Sequence, residues 1–514
     1  MICCHDAKHP FGKRIQAIPE PDTVRASPQQ EQKNPRAIAM YAVVSPAPLT
    51  RHAVKISLLD MIQKQNDMGT APVGRLLLRL ALPAICAQLI NALYNIVDRM
   101  YIGHIPSSGA LALTGVGVTF PIIMLISAFS SLVGMGGAPL ASIRMGEGKN
   151  DKAEELLSKS ASSLIIISAI LTVFFLALQK PLLLAFGASQ NTLGYATDYL
   201  TIYLWGTIFV QLCLGLNPFI TAQGFAKTSM MTVLIGAGLN IAFDPLFIFV
   251  FGMGVKGAAL ATIVSQAVSS VWVVAFLCGD RTRLRIRVKL MRPSFKVMMP
   301  VFGLGVAPFV MQSTESLVNI ILNSTLQRTG GDIAVGAMTI LSCVMMFAIM
   351  PLQGVTQGGQ PIISFNFGAG QTQRVKKTFS LLLTCCLIYS TVLCVLVELF
   401  PRVFIAIFSS DPELTVFTEQ AMRIFLAGVC LMGAQLACQQ SFIALGQAKI
   451  SLFLALLRKI VLLIPLVLIL SRTSLGLTGV FLAEPIADIT AATTTTILFR
   501  LKFNGILARG PKDS

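Results

Sequence analysis

Apolar residues recur along most of this chain in runs near the ~20 residues that a helix needs to cross a bilayer. Residues 164–178 and 381–399 are clear examples. From Gly74 onward the pattern predicts twelve membrane helices. They fall near residues 74–98, 110–137, 156–179, 194–220, 228–251, 256–278, 294–323, 332–359, 375–400, 414–441, 449–471 and 476–501. Several exceed the minimum span, which predicts tilt or bending. Pro83, Pro121, Pro218, Pro245, Pro300, Pro351 and Pro465 lie inside them. Proline is tolerated there because neighbouring helices satisfy the freed carbonyls. Residues 1–70 break the pattern: they are rich in Pro, Gln and charge, with no sustained helical period. They read as a disordered or non-native N-terminal extension. They lack the basic start, apolar middle and small-residue cleavage site of a signal peptide. Met61 or Met68 is the expected start, just ahead of the first helix.

The polar gaps set the topology. One alternate set holds Arg144, Lys149, Lys152, Lys227, Arg281, Arg283, Arg285, Arg287, Lys289, Arg292, Lys296, Arg374, Lys376, Lys377 and Lys449, fifteen in all. The other holds six: Arg99, Lys180, Lys256, Arg328, Arg402 and Arg472. Lys and Arg hold loops in the cytoplasm, so the first set and both termini are expected there. The expected organisation is an N-lobe of six helices at 71–279, a basic cytoplasmic linker at 280–296, a C-lobe of six helices at 297–503 and a cytoplasmic tail at 504–514.

The two halves repeat each other at a constant offset of 222. Gly136-Gly137-Ala138-Pro139-Leu140 reads against Gly358-Gly359-Gln360-Pro361-Ile362. The same offset pairs Gly146 with Gly368, Gly148 with Gly370, Lys152 with Arg374, Gly206 with Gly428, Gly224 with Gly446 and Gly254 with Gly476. Six helices per half is an even number, so both halves insert in the same direction. The result is a parallel repeat about an axis normal to the membrane, a plan that places substrate between the halves and rocks to alternate access.

Composition agrees with this reading. Only 12% of residues are charged and the mean hydropathy is +0.74, against about 25% charge in a soluble chain. The net charge of +17 resides in the gaps between apolar runs. No basic face with interleaved aromatic residues is present, which argues against nucleic acid as a partner. Of eleven cysteines, Cys86, Cys213, Cys343, Cys385, Cys386 and Cys394 lie within apolar runs and serve as small buried hydrophobes. The sequence has no GxxxxGK[ST] loop, no Gly-rich dinucleotide fingerprint and no HExxH, so neither ATP drive nor metal-dependent enzymology is expected.

Polar residues inside the spans carry the chemical information. An Asp at a membrane helix centre costs about 2.5–3.5 kcal/mol on insertion scales, and is a functional candidate for that reason. Gln88, Asn91, Asn95 and Asp98 share one face of the first helix. Asn240 and Asp244 stack four apart on the fifth. At 1.5 Å per residue, Asp98 lies about 36 Å along its span from the cytoplasmic entry and Asp244 about 24 Å along its own. Thr262 lies about 9 Å into the sixth helix from the outer side. Asp98, Asn240, Asp244 and Thr262 can therefore converge in the outer half of the N-lobe. Two nearby carboxylates repel, so such a pair suits a shared proton, a Na⁺ or a cationic substrate. Gln312, Glu315, Asn319 and Asn323 form a comparable stripe on the seventh helix. The repeat aligns Asp98 with Asn319 at an offset of 221 or with Glu315 at 217, and the sequence alone leaves both open. Glu484 and Asp488 are expected to pair with Arg458 or Lys459. Glu398 is expected at the interface. Met298, Met299, Met311, Met345, Met346 and Met350 crowd the start of the second half, either as an adaptable binding surface or as ordinary packing.

These segments resemble the multidrug and toxic compound extrusion family. The resemblance rests on Leu82-Pro83, Val97-Asp98, Ile102-Gly103, Gly136-Gly137 and Gly146-Glu147-Gly148, with Gln357-Gly358-Gly359-Gln360-Pro361 and Phe365-Asn366-Phe367-Gly368-Ala369 in the second half. It covers about residues 74–503 and is closest to the bacterial branch typified by staphylococcal efflux pumps. It implies an all-α polytopic membrane protein of twelve transmembrane helices in two lobes around a central cleft. It also implies export of organic cations and drugs against H⁺ or Na⁺. The family's N-lobe cation site falls on Asp98, Asn240, Asp244 and Thr262. Some members use an acidic residue on the seventh helix, where this chain has Glu315. Gln88, Asn91, Asn95, Gln312, Glu315 and Asn319 are candidates for a substrate site or a second ion site. The expectation is a monomeric, multi-pass cell-membrane transporter with no cofactor beyond the coupling ion. A lipid-linked or polysaccharide flippase is the alternative. It calls for several inward basic residues, and the spans offer mainly Arg458 and Lys459. No catalytic pair supports an intramembrane enzyme, and the duplication argues for alternating access rather than signalling.

Overall fold

In a computed structural model of the protein, the described residues are 68–106, 109–408 and 411–511. The expected extension therefore lies outside the described residues except at 68–70. There the expectation is corrected: these residues form a turn, and Met68 is buried. The Met68 carbonyl accepts 3.0 Å hydrogen bonds from Asn366 Nδ2 and Arg374 Nη2.

Twelve helical spans follow. They are α1 (Val73–Gly103), α2 (Gly109–Gly146), α3 (Asn150–Ala185), α4 (Leu193–Trp205, then Thr207–Ala222), α5 (Ala226–Val250) and α6 (Val255–Cys278). The second half holds α7 (Phe295–Gly331), α8 (Ile333–Gly368), α9 (Thr372–Leu399), α10 (Pro412–Phe425, then Val429–Ala444), α11 (Ala448–Leu470) and α12 (Gly476–Arg509). Among the described residues nine of these are single helices long and apolar enough to cross a membrane, and the bent pairs α4 and α10 bring the total to eleven. The remaining span, α12, carries buried Glu484 and Asp488. It continues to Arg509, so residues 504–509, expected as tail, are helical. Residues 280–294 form the connection between halves, with one 3-10 turn at Val288–Leu290.

The helices form two lobes, α1–α6 and α7–α12, and the sequence offset reappears as geometry. Ser142 Oγ donates to the Ala222 carbonyl at 2.7 Å, and Ser364 Oγ, its counterpart 222 residues on, donates to Ala444 at 2.8 Å. Gly148 and Gly370 both turn the chain in the left-handed region, at φ 77° and 69°, where a Cβ is disfavoured. The breaks in α4 and α10 bend the chain by 59° and 46°. They fall at Gly206 and at residues 426–428, which include Gly428.

Close approaches between the lobes cluster at the end of the bundle that carries the basic loops. A Cβ on Gly146 would collide with the Phe365 carbonyl, and one on Gly368 with the Ile143 carbonyl, so α2 and α8 cross backbone to backbone. Gly136 and Gly305 hold α2 against α7 in the same way, and Gly354 and Gly358 hold α8 against Ile85 and Ala81 of α1. Small residues let membrane helices approach closely enough for dispersion to act, because lipid offers no hydrophobic drive for association. The α1–α8 contact at Ala81 and the α2–α7 contact at Val301 and Gly305 are related by an offset near 222. This resolves the register left open by the sequence: Asp98 corresponds to Asn319, and Glu315 corresponds to Tyr94.

The connection between lobes is fastened to the first. Gln223 Oε1 accepts from Thr282 Oγ1 (2.7 Å), Arg283 N (2.9 Å) and Leu284 N (2.8 Å). Buried Glu154 accepts from Arg285 N at 3.2 Å and pairs with Arg287 at 2.5 Å.

If the glycine seam holds the lobes together, Gly146→Leu overpacks the α2–α8 crossing and costs roughly 1–3 kcal/mol. Thermal unfolding in detergent is expected to show a lower Tm. Gly117→Ala, where an added Cβ meets nothing within 4 Å, is the control that keeps the wild-type Tm.

Candidate cation site

The N-lobe site is built on α1, α5 and α6. Asn240 Nδ2 lies 3.3 Å from Asp244 Oδ1, one turn along α5, and 3.3 Å from Thr262 Oγ1 on α6. All three residues are buried. Pro245 follows Asp244, and the helix relaxes into a π turn at Leu246–Val250. Single π turns inside helices are frequent at functional sites. α1 packs along α5, and the carboxyl groups of Asp98 and Asp244 face each other within hydrogen-bonding reach. Two carboxylates both accept, so this contact requires a proton or a metal cation between them.

Asp98 Oδ1, Asp244 Oδ2 and Asn240 Oδ1 are buried without a hydrogen-bond partner. Buried polar atoms in native proteins are nearly always satisfied. A cluster of unpaired oxygen acceptors has the composition of a hard-cation site, for which carboxylate, carbonyl and hydroxyl oxygens are the suitable ligands. A cavity of about 50 Å³ reaches Asn240 and Thr262 and is lined also by Asn91, Tyr94, Asn217 and Gln266. It has room for a few waters or a hydrated ion. It is far below the ~300 Å³ of a drug pocket.

The structure distributes the sequence candidates. Asp98, Asn240, Asp244 and Thr262 come together, and Asn91 reaches the cavity. Asn95 turns back, donating to its own helix at the Asn91 carbonyl (2.6 Å). Gln88 is half-buried elsewhere on α1. Gln312 accepts from Ser131 Oγ of the other lobe at 2.8 Å. Beyond that bridge Glu315, Asn319 and Asn323 are exposed on the same face of α7. A polar stripe on a membrane helix faces water or protein rather than lipid, so this face lines the space where the lobes part. The methionines form no single surface: Met298 and Met345 are buried, while Met299 and Met346 are exposed.

Sequence reasoning missed part of the N-lobe site. Tyr94, Tyr199 and Tyr203 wall it, with Tyr199 in reach of Thr262 and stacked on Tyr203 at 6.4 Å. Ser265 and Gln266 complete the α6 side. Extending the polar stripe from Thr262 by three and four residues would have found them.

The C-lobe counterpart is filled with charge. At an offset of 222, Gly236, Ala237, Thr262 and Gln266 become Arg458, Lys459, Glu484 and Asp488. Arg458 donates to Asp488 Oδ1 at 2.6 Å and to Glu484 Oε1 at 3.2 Å. Of the two expected partners, Arg458 is thus the one that pairs with Glu484 and Asp488, and Lys459 bonds Glu315 of α7. Among the described residues no group of three or more His, Cys, Asp or Glu side chains is disposed to hold a metal ion.

Removing one partner of a buried pair leaves an uncompensated charge, costing about 3–5 kcal/mol, whereas replacing the whole group by apolar residues is near neutral. Arg458→Leu is therefore expected to unfold at a markedly lower temperature in detergent. The triple variant Arg458→Leu, Glu484→Leu, Asp488→Leu should recover most of the loss.

Comparisons with known proteins agree with the two-lobe helical fold. A family model described as MatE matches residues 83–246 and 308–469. Multidrug export protein MepA of Staphylococcus haemolyticus (strain JCSC1435) is 27% identical over 420 residues, covering 82% of this chain and 92% of that protein. A crystal structure of MATE in complex with MaD3S aligns with TM-score 0.80 at 23% identity, covering 86% of this chain and 99% of the other. An outward-facing multidrug resistance MATE family transporter of the MOP superfamily aligns with TM-score 0.80 at 22% identity, covering 86% and 98%.

Proposed function

The chain belongs to the MatE family of multi-pass membrane transporters, and from that premise we propose that it exports organic cations in exchange for H⁺ or Na⁺. The facing carboxylates of Asp98 and Asp244, with the unpaired oxygens around them, carry the proposal. Arg99 is the nearest basic group, and its guanidinium sits 5.1 Å over the Phe120 ring. One cation against two anions leaves the site one positive charge short. In a bilayer interior that deficit is costly, and an incoming H⁺ or Na⁺ relieves it. Asn240 and Thr262 add oxygens that would bind Na⁺ and polar groups that would orient a protonated Asp244.

Coupling follows from the change in charge. With the ion bound, the site is neutral and its helices can pack closely. With the ion lost, the carboxylates repel and favour a different arrangement of α1 against α5. The drug travels in the cleft between lobes, since the N-lobe cavity is too small for it. Staphylococcal MepA, a multidrug export protein by name, supports drugs as cargo. The positive-inside rule assigns the basic end, where the lobes are closed, to the cytoplasm. The cleft then opens outward past Gln312, in a monomer that supplies both lobes itself. A flippase for lipid-linked diphosphates is disfavoured, because Arg458 and Lys459 are already neutralised by carboxylates.

Everted vesicles loaded with a cationic dye test this reading. Transport is expected to respond to an imposed H⁺ or Na⁺ gradient. Asp98→Asn and Asp244→Asn should each abolish the response at unchanged membrane expression. Indifference of the wild type to both gradients would refute antiport.

A further inference from the structure

Five charged side chains meet inside the C-lobe: Glu315 from α7, Arg458 and Lys459 from α11, and Glu484 and Asp488 from α12. All but one are largely shielded, with side-chain exposures of 16% for Arg458, 10% for Lys459, 11% for Glu484 and 1% for Asp488. Glu315 is the exception, 53% exposed on the cleft face of α7. Three carboxylates against two cations leave the group one positive charge short. The shortfall is visible in the bonding: Arg458 is divided between Glu484 and Asp488, and Asp488 Oδ2 is buried without a partner. Lys459 meanwhile is spent on Glu315, the one carboxylate that the cleft can reach.

The backbone singles out the same place. α11 is π-helical across Leu457–Leu463, so Arg458 and Lys459 sit on a widened turn. Its N-lobe counterpart, residues 235–241, is ordinary α-helix. π turns inside α-helices are rare and frequently mark functional sites.

We propose that the Glu315–Lys459 pair is a latch that an organic monocation displaces. A cation entering the cleft takes Glu315, and Lys459 turns on its flexible stem to Glu484 and Asp488. The substrate supplies the missing charge, so five groups and one ligand sum to zero. Lys459 thus acts as a tethered stand-in for the substrate, keeping Glu315 neutralised while the cleft is empty. A cation with one charge fits, and a neutral drug has no means to open the latch. The inference rests on organic cations being the cargo, and it adds the group that receives them and the residue that competes.

The test is equilibrium binding of tetraphenylphosphonium to the purified full-length chain in detergent micelles, without any ion gradient. Lys459→Gln removes the competitor and is expected to tighten binding roughly tenfold. Lys459→Arg grips the carboxylate with a bidentate fork and is expected to weaken binding severalfold while preserving the charge that the fold requires. Glu315→Gln should weaken binding by at least tenfold. If the wild type binds the cation but both Lys459 variants stay within twofold of it, or both weaken it, the latch is wrong and the export reading stands. If the wild type binds no organic cation, the export reading fails and the latch fails with it.

Discussion

A charge inside a bilayer must be matched locally, and this constraint organises the molecule. Nearly all the helical surface is apolar, and the few buried charges are grouped rather than scattered. In the N-lobe Asp98 faces Asp244, with Arg99 drawn toward Phe120. In the C-lobe three carboxylates surround Arg458 and Lys459. Each group is one positive charge short. Full neutrality would give a more stable and inert protein, since an unpaired buried charge costs several kcal/mol. In the proposed mechanism the missing charges arrive from outside, an inorganic ion at one group and an organic cation at the other.

The duplication supplies the frame in which these groups differ. Ser142 and Ser364 make the same hydrogen bond 222 residues apart, and Gly148 and Gly370 make the same turn. At the basic end the lobes cross through paired glycines, whose missing Cβ lets the two backbones meet. Against that shared scaffold the substitutions of Gly236 by Arg458 and Thr262 by Glu484 stand out. The C-lobe has filled its version of the cation cavity with its own guanidinium. In the proposed mechanism symmetry serves the transport path, and its breaking separates ion coupling from substrate recognition.

Much of this was legible in the sequence. The twelve spans followed from apolar runs, and the repeat followed from one constant offset of glycines, which survive where a left-handed turn or a helix crossing excludes a Cβ. Asp98, Asn240, Asp244 and Thr262 were found because helical spacing and depth are one-dimensional quantities. Tyr94 and Tyr199 were harder. An aromatic residue in a membrane helix has many structural uses, and only packing shows which site it walls. The pairing of Glu484 and Asp488 with Arg458 or Lys459 holds through Arg458, whereas the bond of Lys459 to Glu315 on α7 is set by helix packing that the sequence does not display. The register of Asp98 against Asn319 needed the α1–α8 and α2–α7 crossings, which no sequence pattern encodes.

The central claim is that the Asp98–Asp244 pair holds a single exchangeable positive charge. It is tested most directly by counting cations, H⁺ by pH indicator and radiolabelled Na⁺ by retention, released when purified protein binds a monocationic dye. The account predicts about one cation released per molecule from the wild type, matching the one-charge deficit of the site. It predicts none from the double variant Asp98→Asn, Asp244→Asn. Equal release from both proteins would contradict it.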